Sequence, residues 1–360
     1  MKALGVSTFN GPSSLEVLTL PDPKIQGPDD LIVHVHALGL NRSDPMRISG
    51  WSRIVETISL PLVMGADFSG TVKETGDNVQ EYKIGDRVYG FSFWVHGAGA
   101  QYLHLTPETR HFISKMPDGM SFEEMAGTSS ICTAICALFQ AEAKFGGPGC
   151  LKGKTVFVVG GLGGVGNVAV SLAKGVFGAG KVITTVSSGK VGMVEEVFGE
   201  GIVDQVVDYG KQDVVKSVGK GKVDFLFDTV GTGMAYVEVV KEGGVLLSLL
   251  SKSSETLKRE LLTAPVWMCW IVDAMLGVQW WRAGRWGVQY DGTSTNFDGR
   301  FANAVEKWGR EGKLKPLVGR VIDLGNGEGL KEVKAVLEMI GSTKGTLGKT
   351  VVKMDGLSDN

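Results

Sequence analysis

The stretch TVFVVGGLGGVGN, Thr155–Asn167, constrains the fold of this chain more than any other. A β-branched apolar run, Val156–Val159, breaks into five glycines within the seven residues Gly160–Gly166, then resumes as the helix-compatible NVAVSLAK. Locally that is strand, tight turn and helix. Gly161, Gly163 and Gly166 have the G-x-G-x-x-G spacing, which assigns one glycine to the sharp turn, one to close approach of a pyrophosphate and one to packing of helix on strand. Backbone N–H groups at the start of such a helix hold an anion without a basic side chain. With 52 glycines in 360 residues, about twice ordinary usage, some glycine spacings arise by chance, and the spacing alone is weak evidence. The strand before it and the helix after it are what point to a dinucleotide.

A chain of 360 residues is long enough for two domains, each with its own core. The net charge is −2, from 37 basic and 39 acidic side chains well mixed along the chain. No basic footprint marks nucleic acid as a partner. Cys132, Cys136, Cys150 and Cys269 form no C-x-x-C pair, which argues against a disulfide framework or a zinc ribbon and for buried small apolar residues. The first residues, MKALGVSTFNG, contain no apolar signal-peptide core, and a cytoplasmic setting is the expectation.

Residues 1–130 read as short alternating or β-branched runs, among them DLIVHVHALGL, FSGTVKETG and DRVYGF, separated by Gly, Pro, Asn and Asp. From Ser121 two short helices are expected, the first opened by a capping pattern at Ser121 and Glu124. Strands at 155–159, 181–186, 204–208, 223–227 and 244–249 then alternate with helices after 166, 190, 211 and 233, the signature of a doubly wound parallel sheet. The tail returns to short strands around RVIDL and KTVVKM with the helix LKEVKAVLEMI between them. The expected division is a β-rich domain, 1–130 completed by 312–360, around an α/β domain, 131–311, with a ligand cleft between them.

In a dinucleotide fold an acid at the end of the second strand accepts from the ribose hydroxyls and repels a 2′-phosphate. Here Val182–Val186 is followed by Ser187, Ser188, Gly189 and Lys190, hydroxyls and a cation that suit NADPH better than NADH. The same serines could simply cap a helix. Gly161, Leu162, Gly163, Gly164, Val165 and Gly166 form the phosphate turn, and Tyr209 flanks the adenosine end or is an ordinary loop tyrosine. Val230 and Gly231, after the fourth strand, and Leu249, ending the fifth, lie at carboxyl ends of the sheet where ligands bind. Asp228 is either part of that site or a turn residue.

The GLGGVG turn, GADFSGTV at Gly65–Val72, GDRVYGF at Gly85–Phe91 and the terminal GKTVV at Gly348–Val352 together resemble the medium-chain dehydrogenase/reductase superfamily. The resemblance covers essentially the whole chain and implies a GroES-like β-rich catalytic domain, formed by both chain ends, plus a Rossmann domain, with Lys349 of GKTVV in the cofactor set. Zinc members carry a Cys where this chain has Asn41, and a His then Glu where it has Ala66 and Asp67. The four cysteines of their structural zinc lobe have no counterpart in residues 90–115. No zinc site is therefore expected, and His96, His104 and His111 read as solvated or core histidines. The chain is more similar to zinc-free quinone oxidoreductases and to the stand-alone enoyl reductases that partner fungal polyketide synthases. That likeness implies catalytic roles for Asn41, near the nicotinamide, and Thr133 in ICTAICAL, and a setting in secondary metabolism. Met46 stands where those reductases often place a Tyr, so the proton source does not carry over.

Pro265–Trp286 holds five of the eight tryptophans. Its apolar run approaches a membrane-spanning length, but Asp273 and glycines interrupt it, and membrane contact is not expected. Trp267, Trp270, Trp280 and Trp281, with Met46, are read as walls of a bulky apolar substrate site; a subunit interface and plain core are the alternatives. The resulting expectation is zinc-independent hydride transfer from NADPH to an activated C=C bond of a quinone, enone or enoyl thioester, the substrate free or carrier-bound and the protein a monomer or homodimer. A non-redox cyclase, isomerase or binding protein on the same fold is the competing function.

Overall fold

The computed structural model describes residues 1–54, 58–92, 97–108, 112–260, 265–293, 296–342 and 345–357. The β-rich beginning comprises β1 (Lys2–Val6), β2 (Glu16–Thr19), β3 (Leu31–Gly39), helix α1 (Ser43–Ile48), β4 (Leu62–Val63), β5 (Asp67–Thr75), β6 (Arg87–Phe91), β7 (Tyr102–Leu105), β8 (Phe112–Lys115) and the short α2 (Phe122–Met125). The expected cap forms there: Ser121 Oγ accepts from Glu124 N at 3.2 Å, and the Glu124 carboxylate accepts from Ser121 N at 2.8 Å. The alternating section follows as α3 (Thr128–Lys144), β9 (Thr155–Val159), α4 (Gly164–Gly175), β10 (Lys181–Val186), α5 (Met193–Phe198), β11 (Gln205–Asp208), α6 (Val214–Val218), β12 (Val223–Asp228), β13 (Val240–Ser248), α7 (Ser254–Glu260), α8 (Val266–Gly284) and β14 (Gln289–Gly292). The tail is α9 (Gly299–Arg310), β15 (Val318–Asp323), α10 (Gly329–Gly341) and β16 (Lys349–Lys353). The helix expected after residue 233 is instead a 3₁₀ segment, Gly233–Val239.

Two compact units emerge, residues 1–129 with 297–310 and 318–360, and residues 130–296 with 311–317. In the first, one sheet runs β15-β16-β3-β5-β6-β8 with β7 also on β3, and a smaller one runs β2-β1-β4. Its core gathers Leu31, Val33, Val35 and Leu38 of β3 with Phe68, Val88, Ile322, Val336 and Val352. Residues 297–310, expected with the α/β section, belong here. Phe297 stacks on Phe91 (centroids 4.9 Å apart, 13° between planes) and Phe301 meets Phe112 at 5.1 Å, apolar contacts that outweigh position in sequence.

The second unit carries a parallel sheet in the order β11-β10-β9-β12-β13-β14. β9 lies at its centre with Val156–Val159 buried, which explains why this strand reads as an unbroken apolar run. The order reverses between β9 and β12, so the carboxyl ends of those strands are where this fold binds ligands. Cys132 and Cys136 are buried one turn apart on α3, their sulfurs 3.8 Å apart and each 3.5 Å from Asn296 O.

Candidate active site

In the second unit, the turn after β9 matches the expected glycine positions with one reassignment. The left-handed residue is Gly160 (φ 78°), one before the glycine to which spacing assigns the sharp turn. Gly161 is needed for proximity instead, since a Cβ there would lie 2.0 Å from Thr184 Oγ1. A Cβ on Gly166 would lie 2.2 Å from Gly160 O, so this residue does seat α4 against the end of β9. Gly163 is the N-cap of α4, and a Cβ there would meet only Gly160 O, at 3.3 Å. Leu162 is buried, while Gly163, Gly164 and Val165 remain partly accessible at the helix start, where backbone N–H groups lack intrahelical acceptors. Asn167 braces the turn, donating from Nδ2 to Gly163 O (2.6 Å) and Gly164 O (2.8 Å) and accepting from Leu317 N (2.8 Å). These features fit a dinucleotide pyrophosphate.

At the adenosine end the structure supplies a residue that sequence order conceals. β10 and β11 pair in register, Val186 opposite Asp208, so the acid missing from the end of β10 arrives from its neighbour. Asp208 Oδ1 accepts from Ser188 Oγ at 2.9 Å and from Gly210 N at 2.9 Å. The Ser188 proton is thus committed to a carboxylate, and Ser187 and Lys190 are the groups on this strand end suited to a phosphate. Burial lowers the pKa of the Lys190 ammonium. Tyr209 is exposed.

Asp228 proves to be a turn organiser. Its Oδ1 accepts from the backbone N–H of Val230 (3.1 Å), Gly231 (2.8 Å) and Thr232 (3.1 Å), and its Oδ2 accepts from Ser248 Oγ at 2.9 Å. This bonding fixes the loop carrying Val230 and Gly231 (φ 92°), and Leu249 N donates to Asp228 O at 2.9 Å. The signal was the Asp-Thr-Val-Gly run itself, an Asx-type turn sequence.

In the first unit, pairing of β3 with β5 (Gly39 opposite Asp67) and with β16 (Gly39 opposite Val351) draws together Asn41, Asp67 and Lys349. Gly39 permits this. A Cβ there would lie 2.9 Å from Lys349 Cε and 1.9 Å from Ala126 O. The buried Lys349 Nζ donates to Asp67 Oδ2 at 2.9 Å and to Asn41 Oδ1 at 2.5 Å. Ser129 completes the cluster. Its N–H lies 3.1 Å from Asp67 Oδ1, and its Oγ lies 2.6 Å from Asp67 Oδ2 and 3.2 Å from Asn41 Oδ1. An ammonium only donates, so the Asn41 atom facing it is the oxygen, and Nδ2 donates one of its two hydrogens to Gly39 O at 3.4 Å. Beneath, Asp44 Oδ2 accepts from Asn41 N at 2.6 Å. Burial pushes the Asp44 carboxyl up to about 7.

Of the remaining expected residues, Thr133 is buried on α3, one turn beyond Ser129, and Met46 is exposed on α1. Trp267, Trp270, Trp280 and Trp281 are 52–72% exposed on α8, whose buried residues Cys269, Leu276 and Ala283 recur every seven positions on one stripe. His104 is tied to Asp30 (2.8 Å), and His96 and His111 lie outside the described residues. Ser129, Asp44 and Asn167 were not among the expected site residues. Ser129 acts through Asp67 and Asn41, distant in sequence, and Asn167 reaches Leu317 as well as its own turn, whereas Asp44 bonds Asn41 N only three residues away.

Two family models match the chain, an alcohol dehydrogenase GroES-like domain over residues 27–118 and a zinc-binding dehydrogenase domain over residues 203–352. The chain belongs to the medium-chain dehydrogenase/reductase superfamily. Among curated members it is 32% identical to a 2-methylene-furan-3-one reductase of Solanum lycopersicum and 31% identical to an NADPH-dependent alkenal/one oxidoreductase, chloroplastic, of Arabidopsis thaliana. Each match covers 69% of this chain and 62% of the relative, so it spans less than two thirds of either relative's length. A solved quinone oxidoreductase of Coxiella burnetii is 27% identical, with a TM-score of 0.76 over 98% of this chain and 99% of that one.

The superfamily includes zinc enzymes, but the residues here do not fit that metal. Ala66 offers no donor atom. The oxygens of Asn41 and Asp67 already bind the Lys349 ammonium, whose charge opposes a second cation at the same place.

Proposed function

We propose that this medium-chain dehydrogenase/reductase is a zinc-independent, NADPH-dependent reductase of C=C bonds conjugated to a carbonyl. The observation that carries the reading is the Asn41–Asp67–Ser129–Lys349 network, which places a fixed cation and an oriented amide where a metal-dependent member needs ligands. The names of the two curated relatives support it, since each denotes an enone-type substrate. The cofactor, when bound, supplies hydride to the carbon β to the carbonyl. The second Nδ2–H of Asn41, beside the one on Gly39 O, donates to the carbonyl oxygen as it gains enolate charge. Lys349 holds Asn41 in that orientation and adds positive field. Gly163–Val165 bind the pyrophosphate through backbone N–H groups, and Ser187 and Lys190 bind the 2′-phosphate. Simple alcohol oxidation is disfavoured, because no group in this set lowers the hydroxyl pKa as a Lewis acid does.

No described helix is long and apolar enough to cross a membrane. An apolar small-molecule substrate and a monomeric or homodimeric state belong to the same proposal. The test is NADPH oxidation, followed by absorbance, with a panel of quinones, enones and simple ketones. Turnover of the conjugated compounds and not of the ketones is the expected result. Tight NADPH binding with no turnover of any panel member would favour a non-redox role.

A further inference from the structure

A second cluster in the first unit is independent of the proposed reductase site. His34 and His36 are two residues apart on β3, so both imidazoles stand on the same face of the sheet. Asp355 is delivered beside them because Lys353 of β16 pairs with Ala37 and Met354 N donates to His36 O at 2.9 Å. His36 Nδ1 lies 2.8 Å and His34 Nε2 4.0 Å from Asp355 Oδ1, and one donor atom from each of the three residues falls within 4.8 Å of the others. A triangle with those sides has its centre about 2.0–2.4 Å from each corner, close to the ~2.0–2.2 Å of Zn–N and Zn–O bonds.

The surroundings favour a cation at that centre. Thr71 Oγ1 lies 3.1 Å from His36 Nε2. Without a metal, Nδ1–H donates to the Asp355 carboxylate at 2.8 Å; with Nδ1 as a ligand the remaining proton sits on Nε2, where Thr71 Oγ1 accepts it and fixes the ring. The His34 and His36 ring centroids are 4.5 Å apart, and the rings are flanked by Tyr102 (5.3 Å from His34) and Phe122 (4.5 Å from His36), which limit their rotation. Lys73 is the opposing charge, its ammonium held 3.5 Å over the Tyr102 ring.

We propose that His34, His36 and Asp355 bind one divalent transition-metal ion of the Zn2+ or Ni2+ class, with water in the remaining positions, clasping the chain after β16 to β3. Calorimetric titration of untagged, chelator-stripped full-length chain with Zn2+, and of a parallel sample with Co2+ followed by visible absorption, tests this. One saturable ion per chain and a raised unfolding temperature are expected. Asp355→Asn, on an exposed side chain, should fold as the parent and lose at least tenfold in affinity, as should His34→Gln with His36→Gln. Thr71→Val should lose about tenfold. No saturable binding, or affinity unchanged in both Asp355→Asn and the paired histidine variant, would overturn the site.

Discussion

Replacing Lys349 by Met removes a cation bonded to the half-buried Asn41 and to Asp67, leaving the fully buried Asp67 carboxylate without its counter-charge. Breaking a buried ion pair from one side costs about 3–5 kcal/mol. Asp67 keeps two donors from Ser129, at 3.1 and 2.6 Å, so the lower end, ~3 kcal/mol, is expected. The assay is urea unfolding of the parent, Lys349→Met, Asp67→Leu and the double variant. If the pair works as the geometry indicates, the double variant is more stable than Lys349→Met, with a coupling energy of ~1–3 kcal/mol. In folded Lys349→Met, kcat should fall while NADPH affinity stays near the parent's, because the ammonium is bonded to Asp67 and Asn41; Lys349→Arg should recover part of the rate. A cost under ~1 kcal/mol with no coupling would refute the reasoning, since a surface pair behaves that way.

NADPH should bind at least tenfold more tightly than NADH, about 1.4 kcal/mol, and Lys190→Ala should narrow the ratio in paired titrations. Activity should survive chelator, and metal analysis should find no zinc whose removal abolishes turnover. Asp44 has its folded pKa raised from 3.8 to about 7, so its contribution to stability is present below the lower value and lost as pH rises through the upper one; Asp44→Asn should flatten the stability profile across that window. Exposed Trp270 and Trp281 on α8 form an apolar face of the kind that docks a second copy, so changing both to Ala should lower the molar mass in solution and affect small and large enones alike. Loss confined to the large substrate, at unchanged mass, would return these rings to the substrate wall.

The glycine turn, the parallel strands and the Ser121 cap were legible in the sequence because each depends on near neighbours: side-chain period, backbone freedom and a hydrogen bond across three residues. Asn41 and Lys349 were also picked out, but not as partners. Nothing across a sequence separation of 308 says that one will donate to the other, and only the pairing of β3 with both β5 and β16 decides it. Asp208 is the same lesson at shorter range, an acid hidden one strand away that reaches Ser188 through parallel register. The tryptophans of α8 show the limit of composition. Their apolar character is local, whereas their exposure depends on which stripe of the helix the rest of the unit covers, here Cys269, Leu276 and Ala283. Sequence determines what a segment prefers and which chemistry it carries; tertiary packing decides which groups meet, because burial and hydrogen-bond partners are properties of contacts between distant segments.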